Sequence, residues 1–546
     1  MQQPAIPAIA PAPLPVEALA IVNARVWTGD PRRPWADAVL VRGERIEAVG
    51  SSAEIKKRAG RARILDAKGM MVTPGFVDAH VHFLDGGFAL SSVQLRDART
   101  KAEFVERIRA FATTVPPGTW ILNGDWDHTS WGGALPERSW IDSVTPHNPV
   151  WINRLDGHMN LANTLALAAA KIGRETKDVD GGTIVRDAAG EPTGVLKDNA
   201  MSLVSVAVPA PSMAMSLRAL DGAMTYVAER GVTSVQHMGG WGDLAVFDRA
   251  HAQGALRTRI SAAVPLSTWS RLRDTVAARG RGDAWLRIGG LKGFVDGSLG
   301  SHTAAMLEPF TDAPGDRGLL VSTPDDLYAW TSGADAAGLQ VMVHAIGDRA
   351  IRTQLDVFAR VAKENGRRDR RFRIEHAQHI APADIPRFGA LGVIASMQPY
   401  HAIDDGRWAD QVIGAERAKG TYAFRSLLDH GATLAFGSDW FVAPPTPLVA
   451  IYAAVTRRTL DDKHPGGWVP EQRITVEQAL RAHTAGAARA AFMEREVGTL
   501  APGMLADLVL IDRDITRAAP ESVRDALVML TMVGGRIVYD RSGLTH

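Results

Sequence analysis

Four short apolar runs in this 546-residue chain each close on a residue that can bind a metal. They are GFVDAHVH, which carries His80 and His82, LQVMVH ending at His344, RFRIEH ending at His376, and ATLAFGSD ending at Asp439. Between them lie Ala-rich segments of helical pattern such as SLRALDGAMTYVAERG and AIRTQLDVFARVAKENG. Strand-like runs alternating with helices imply a parallel sheet, and their number favours a (β/α)8 barrel. A barrel of about 250 residues spends roughly 31 on each βα unit. His344 and His376 stand one unit apart, and His376 and Asp439 two. Lys292, inside the apolar stretch LRIGGLKGFVDGSLG, lies a longer unit before His344.

The distance from His80 to Lys292 exceeds what the intervening units need by roughly 120 residues. An α+β insertion is therefore expected at residues 95–225, with the barrel on 75–94 and 226–494. The flanks differ in style. Residues 19–74 and 495–546 alternate apolar and polar positions between Gly and Pro turns, which predicts one composite β-sandwich domain assembled from both ends of the chain. Residues 1–18 are rich in Pro and Ala, lack a basic start, and are expected to form a disordered leader. Such a stub could also remain after removal of an export signal. The expectation is thus a soluble protein, cytoplasmic unless exported to a periplasm or beyond.

Bulk numbers narrow the chemistry. Lys+Arg of 61 against Asp+Glu of 60 offers no electrostatic attraction for nucleic acid or an anionic membrane. No apolar run is long enough to span a bilayer. Without a single cysteine, any metal must sit on histidine, carboxylate or modified lysine. The expected partner is a small molecule, with a homodimer as the alternative assembly.

Among 16 histidines, chance yields roughly half of one H-x-H pair, so His80 and His82 alone carry little weight. Position strengthens them: residues two apart on a strand face the same side. The C-terminal ends of barrel strands are where such folds do chemistry. A buried, unpaired Lys292 would be costly. It either pairs with Asp296, four residues on, or has reacted with carbon dioxide to give a carbamate that can bridge two cations. Asp85 and Glu375 would be poorer bridges.

GFVDAHVH, GGLKGFVDGSLGSHTAAM, VHAIGDRAI, RIEHAQ and FGSDW together resemble the amidohydrolase superfamily, specifically its YtcJ-like branch with the N-substituted formamide deformylases. The similarity runs from about residue 20 to 540. It implies that His80 and His82 hold one divalent ion and that carboxylated Lys292 bridges to a second on His344 and His376. Asp439 then contacts the first ion and shuttles the proton. Zinc suits this ligand set, with iron or manganese as alternatives. The implied partner is a small-molecule amide, and the implied reaction is hydrolysis of its carbon–nitrogen bond, a non-peptide amide or N-substituted formamide, by a water that two ions activate. A cyclic amide, carbamate, ester or deamination substrate would use the same core, and a catalytically dead binding protein would not preserve it. His302 stands where relatives commonly carry Arg, and Asp198 where they often carry Glu. His158, His302, Trp126 and Trp440 are candidate substrate contacts, although the tryptophans of 120–151 could equally build the insertion's own core.

Overall fold

The computed structural model describes residues 9–541 and 543. Eight parallel strands form the central barrel: β1 (Phe76–Val81), β2 (Val232–Met238), β3 (Arg259–Pro265), β4 (Leu286–Phe294), β5 (Gln340–Ala345), β6 (Arg373–His376), β7 (Ile394–Met397) and β8 (Leu434–Phe436). Each pairs with the next in sequence order. The ring closes beyond β8, where Asp439 N donates to His80 O at 2.7 Å and His82 N donates to Trp440 O at 2.6 Å. A side chain at Gly437 would strike the His80 backbone, so only glycine lets the two strand ends approach this closely.

The helices outside the barrel follow the 3.6-residue period that buries one stripe. Asp348–Glu364 turns Ile351, Leu355, Phe358 and Val361 inward, each three or four residues from the last. Helix Met213–Ala228 is capped by Ser212, whose hydroxyl accepts from Met215 N at 3.3 Å. It packs against Phe83–Ala89 and feeds β2. Gly87 makes that approach possible, since a Cβ there would collide with the Ala219 carbonyl. The expected division at residue 225 falls inside this helix.

The β-sandwich consists of two sheets. One runs Arg45–Gly50, Ala38–Arg42, Ala18–Val22, Arg63–Asp66, and the other runs Arg536–Asp540, Val528–Val533, Leu508–Ile511, Met71–Pro74, Arg25–Trp27, Trp35–Ala36. Antiparallel pairing of Leu508–Ile511 with Met71–Pro74 joins the two ends of the chain. Period-two alternation splits the burial: Leu19 and Ile21 enter the inter-sheet core, while Ala20 and Val22 face a helix carrying Ile55 and Ala59. Residues 1–8 of the expected leader lie outside the described residues. Residues 9–17 are placed against the fold, which corrects the expectation of disorder there. Ile9 is buried, Ala12 N donates to Gly254 O at 3.1 Å, and Val16 N donates to Gly535 O at 2.9 Å.

A five-stranded sheet fills the insertion, in the order Gly182–Arg186, Pro192–Asp198, Met159–Ala162, Val150–Asn153, Ile121–Leu122. Apolar clusters cover both of its faces. Trp126, Trp131 and Trp140 belong to one cluster, and Trp120 and Trp151 to the other. Trp126 is wholly buried and donates its indole N–H to Ile152 O at 2.9 Å. The expectation that it contacts substrate is therefore corrected: it is core, satisfied within its own sheet.

Candidate metal centre

The C-terminal ends of β1, β4, β5, β6 and β8 bring His80, His82, Lys292, His344, His376 and Asp439 to the wall of one cavity or directly behind it. One ligand atom from each of His80, His376 and Asp439 lies within 4.8 Å of the others. Asp439 Oδ1 stands 3.3 Å from His82 Nε2 and 3.4 Å from His80 Nε2. The His344 and His376 rings are 4.5 Å apart between centroids, and Lys292 Nζ is 3.3 Å from His80 Nε2. His376 and Asp439 both have left-handed backbones (φ 71° and 60°), a conformation uncommon in non-glycine residues.

What faces the ring nitrogens settles their protonation. His80 Nδ1 lies 2.6 Å from Glu375 Oε2, with both side chains fully buried, so Nδ1 carries the hydrogen. His376 Nδ1 faces Gln398 Oε1 at 2.9 Å, and His344 Nε2 faces the Gly297 carbonyl at 2.9 Å. Each imidazole thus spends its one N–H on an oxygen and keeps a lone pair on its other nitrogen, which in His80 also faces Lys292 Nζ at 3.3 Å. Burial lowers the His80 pKa to about 4, helped by the Lys292 charge, and holds His344 and His376 well below their usual value. Three neutral imidazoles are the form that binds a metal.

Their juxtaposition with Asp439 makes little sense without a cation. The Asp439 carboxyl is buried, which opposes ionisation, yet His80, His82 and His376 keep it well below the ordinary carboxylate range. Its Oδ1 has no hydrogen-bond donor. The His80 Nε2 lone pair therefore faces the unpartnered Asp439 Oδ1 at 3.4 Å, with Lys292 Nζ beside it at 3.3 Å. A divalent ion satisfies both. These donors are nitrogen and oxygen only, which suits zinc, iron or manganese.

Lys292 does not pair with Asp296. That carboxylate instead accepts from Ala305 N (2.8 Å), Ile346 N (3.0 Å) and Gly347 N (2.8 Å), and lies 3.5 Å from His344 Nε2. Burial brings the Lys292 pKa down to about 8, against the pull of Glu375 and Asp439. That shift raises the share of neutral amine, the form that reaction with carbon dioxide requires.

Behind the ligands stands a charged brace. Arg373 Nε donates to Glu375 Oε1 at 2.7 Å, its Nη2 donates to Ala79 O at 2.6 Å and Ser396 Oγ at 2.9 Å, and its Nη1 donates to Gln236. The guanidinium outweighs the burial of Glu375 and holds its pKa to about 2.

The cavity measures about 390 Å3, a size for small molecules. His158 lines it, bonded through Nδ1 to Asp198 Oδ1 at 2.7 Å and 5.0 Å from the His344 ring. His302 does not line it: its ring faces Asp312 at 3.0 Å and Phe310, so the expectation of a substrate contact is corrected. Trp440 also points away, stacked on Tyr226 at 5.1 Å, and its neighbour Phe441 forms the wall instead. His401 was not anticipated. It follows β7 in MQPYHA, and its Nε2 is 4.0 Å from Asp439 Oδ2 with no hydrogen-bond partner. Its place just past a strand's C-terminal end was the available signal. Arg154 and Asp156 also line the cavity and pair at 2.7 Å, and Ser298 and Ser301 both donate to Asp156, which fastens the insertion over the barrel mouth.

A model of the amidohydrolase family matches residues 63–539. The chain is 43% identical over 537 residues to the protein LONG AFTER FAR-RED 3 of Arabidopsis thaliana, covering 95% of this chain and 91% of that one. It is 29% identical over 553 residues to the N-substituted formamide deformylase of Arthrobacter pascens, covering 96% and 99%. The crystal structure of an uncharacterized metal-dependent hydrolase from Pyrococcus horikoshii matches with a TM-score of 0.76 at 27% identity, over 92% of this chain and 99% of that one.

Proposed function

The chain belongs to the amidohydrolase family, in its YtcJ-like branch, and on that premise we propose that it hydrolyses the carbon–nitrogen bond of small non-peptide amides, N-substituted formamides foremost. The observation that carries the hydrolase reading is the meeting of the His80 Nε2 lone pair and the unpartnered Asp439 oxygen at 3.4 Å, with His82 and Lys292 beside them. The similarity to a formamide deformylase supports the choice of bond.

His80, His82 and Asp439 would hold one divalent ion, and His344, His376 and carboxylated Lys292 a second. Bound there, such ions supply Lewis-acid chemistry, acidifying water and polarising a carbonyl. The protein's own groups do the rest. Glu375 fixes the His80 ring and Gln398 the His376 ring, so neither ligand rotates away. Asp439, ionised at neutral pH, accepts the proton of the attacking water and returns it to the departing nitrogen. One water is consumed, the C–N bond breaks, and an acid and an amine leave. For an N-substituted formamide the acid is formate. His158 and His401 stand close enough to contact the acyl oxygen or the nitrogen substituent, and Phe441, Phe294 and Trp408 offer that substituent apolar wall.

The test is a substrate panel on metal-loaded protein: N-formyl and N-acyl amines beside lactones, esters, cyclic amides and amino-heterocycles. Formate release from an N-formyl amine, abolished in Asp439→Asn, supports the proposal. Turnover confined to the esters or amino-heterocycles would replace it.

A further inference from the structure

At the opposite end of the barrel, between the N-terminal ends of β3 and β6, a second cavity of about 390 Å3 opens to the surface. Five arginines line it, Arg281, Arg287, Arg368, Arg370 and Arg373, against one carboxylate, Asp369. Asp369 is already engaged by Arg371 at 2.9 Å. Arg373 is committed to Glu375, and the fully buried Asp335 serves both Arg368 (2.8 Å) and Arg370 (3.0 Å). Among the described residues, Arg287 has one distant carboxylate partner, Glu496 at 3.9 Å. Arg281 has no carboxylate partner among the described residues, only the Gly338 carbonyl at 2.8 Å.

Arginines that serve the fold look different in this protein. Arg259 makes two bonds to Asp507, at 2.7 and 2.9 Å, and Arg371 makes two to Glu494, at 2.8 and 2.7 Å. The basal cavity instead gathers like charges. Burial lowers the Arg281 pKa, and so do the neighbouring guanidiniums of Arg287 and Arg368, so the three repel one another. Backbone geometry makes room for this. Gly289 sits on β4 at φ 126°, and a Cβ there would occupy the place of the Arg281 guanidinium. The register of β3 against β4 also shifts between Ala262 and Ala263, beside the opening.

We propose that this basal cavity binds a small phosphate-class oxyanion, free or as a phosphomonoester, through Arg281 and Arg287, with the charge of Arg368 beside them. Planar guanidiniums present paired N–H donors that match the oxygens of such an anion, and its charge offsets their repulsion. The cavity is larger than the bare ion needs, so a modest organic group would fit beside it.

The experiment is calorimetric titration of the metal-loaded protein with inorganic phosphate and, separately, glycerol phosphate, at ionic strength held constant with chloride. Arg281→Gln and Arg287→Gln are the variants, because neither residue touches the metal centre and neither leaves a buried carboxylate unpaired. Removing one charged hydrogen-bond donor should weaken binding about tenfold. Such weakening in both variants, with amide hydrolysis in phosphate-free buffer unchanged, supports the site, and the tighter of the two probes names the source. Binding that is equally tight in both variants locates the anion elsewhere, at the metal centre for instance, and overturns the proposal. So does the absence of binding by either probe up to about 10 mM, a concentration corresponding to under 3 kcal/mol of affinity.

Discussion

Glu375 Oε2, on β6, reaches across the barrel interior to sit 2.6 Å from His80 Nδ1 on β1, with no solvent access to either side chain. The contact orients the imidazole and makes it a better donor, and Arg373 keeps the carboxylate ionised. Glu375→Gln keeps the shape while removing the charge. Metal affinity should fall about 10- to 100-fold, measured by competition with a chromophoric chelator. The variant also strands the Arg373 charge, so melting should occur at lower temperature. Unchanged metal affinity would remove Glu375 from this role.

Acid should weaken the metal-free protein, by the following linkage. His80 titrates near 6.5 when unfolded and about 4 when folded, so below pH 6.5 the unfolded chain binds the extra proton. His344 and His376 shift in the same direction. Stability from these groups is complete above about pH 6.5 and is lost as pH falls toward 4, and Glu375 continues the loss between 4.5 and about 2. Urea midpoints of chelator-treated protein should therefore drop steadily between about pH 7 and pH 4. A flat profile over that range would contradict the assigned tautomers.

Lys292 tests the bridge. Only a neutral amine attacks carbon dioxide, so modification should become more complete as pH rises through about 8. Intact-mass or carbon-13 spectra of protein equilibrated with labelled bicarbonate would record this. Lys292→Ala should lose activity and regain part of it with added short-chain carboxylates. An unmodified mass at every pH together with no rescue would argue for a plain ammonium.

Two substitutions separate wall from core. Trp126→Ala should destabilise the insertion by about 3–5 kcal/mol, visible as an early unfolding transition. His302→Ala, facing Asp312 away from the cavity, should change kcat/KM by no more than roughly twofold. A larger effect on kcat/KM would place His302 nearer the substrate than its position in the fold indicates.

The barrel was legible because apolar runs alternate with helical segments, and the meeting of His344, His376 and Asp439 at one end of it because each closes such a run and strand ends in a barrel converge. The composite sandwich was legible for a similar reason, in the period-two alternation at both ends of the chain. Contacts that depend on side-chain direction were not. Nothing in FGSDW says that Trp440 turns to stack on Tyr226 while Phe441 faces the cavity. In GSLGSH, a left-handed backbone at residue 302 swings His302 outward to Asp312. The helix Met213–Ala228 blurred the edge of the insertion because an amphipathic helix reads the same in either domain. Asp296 looked like a partner for Lys292 by spacing alone, yet three backbone N–H groups claim it.

Elemental analysis of the purified protein, beside His80→Ala and His344→Ala, tests the central claim most directly. The account predicts one to two equivalents of zinc, iron or manganese per chain in the parent protein, reduced together with amide hydrolysis in both variants. A parent protein that hydrolyses amides with no metal, or variants that keep a full complement, would contradict it.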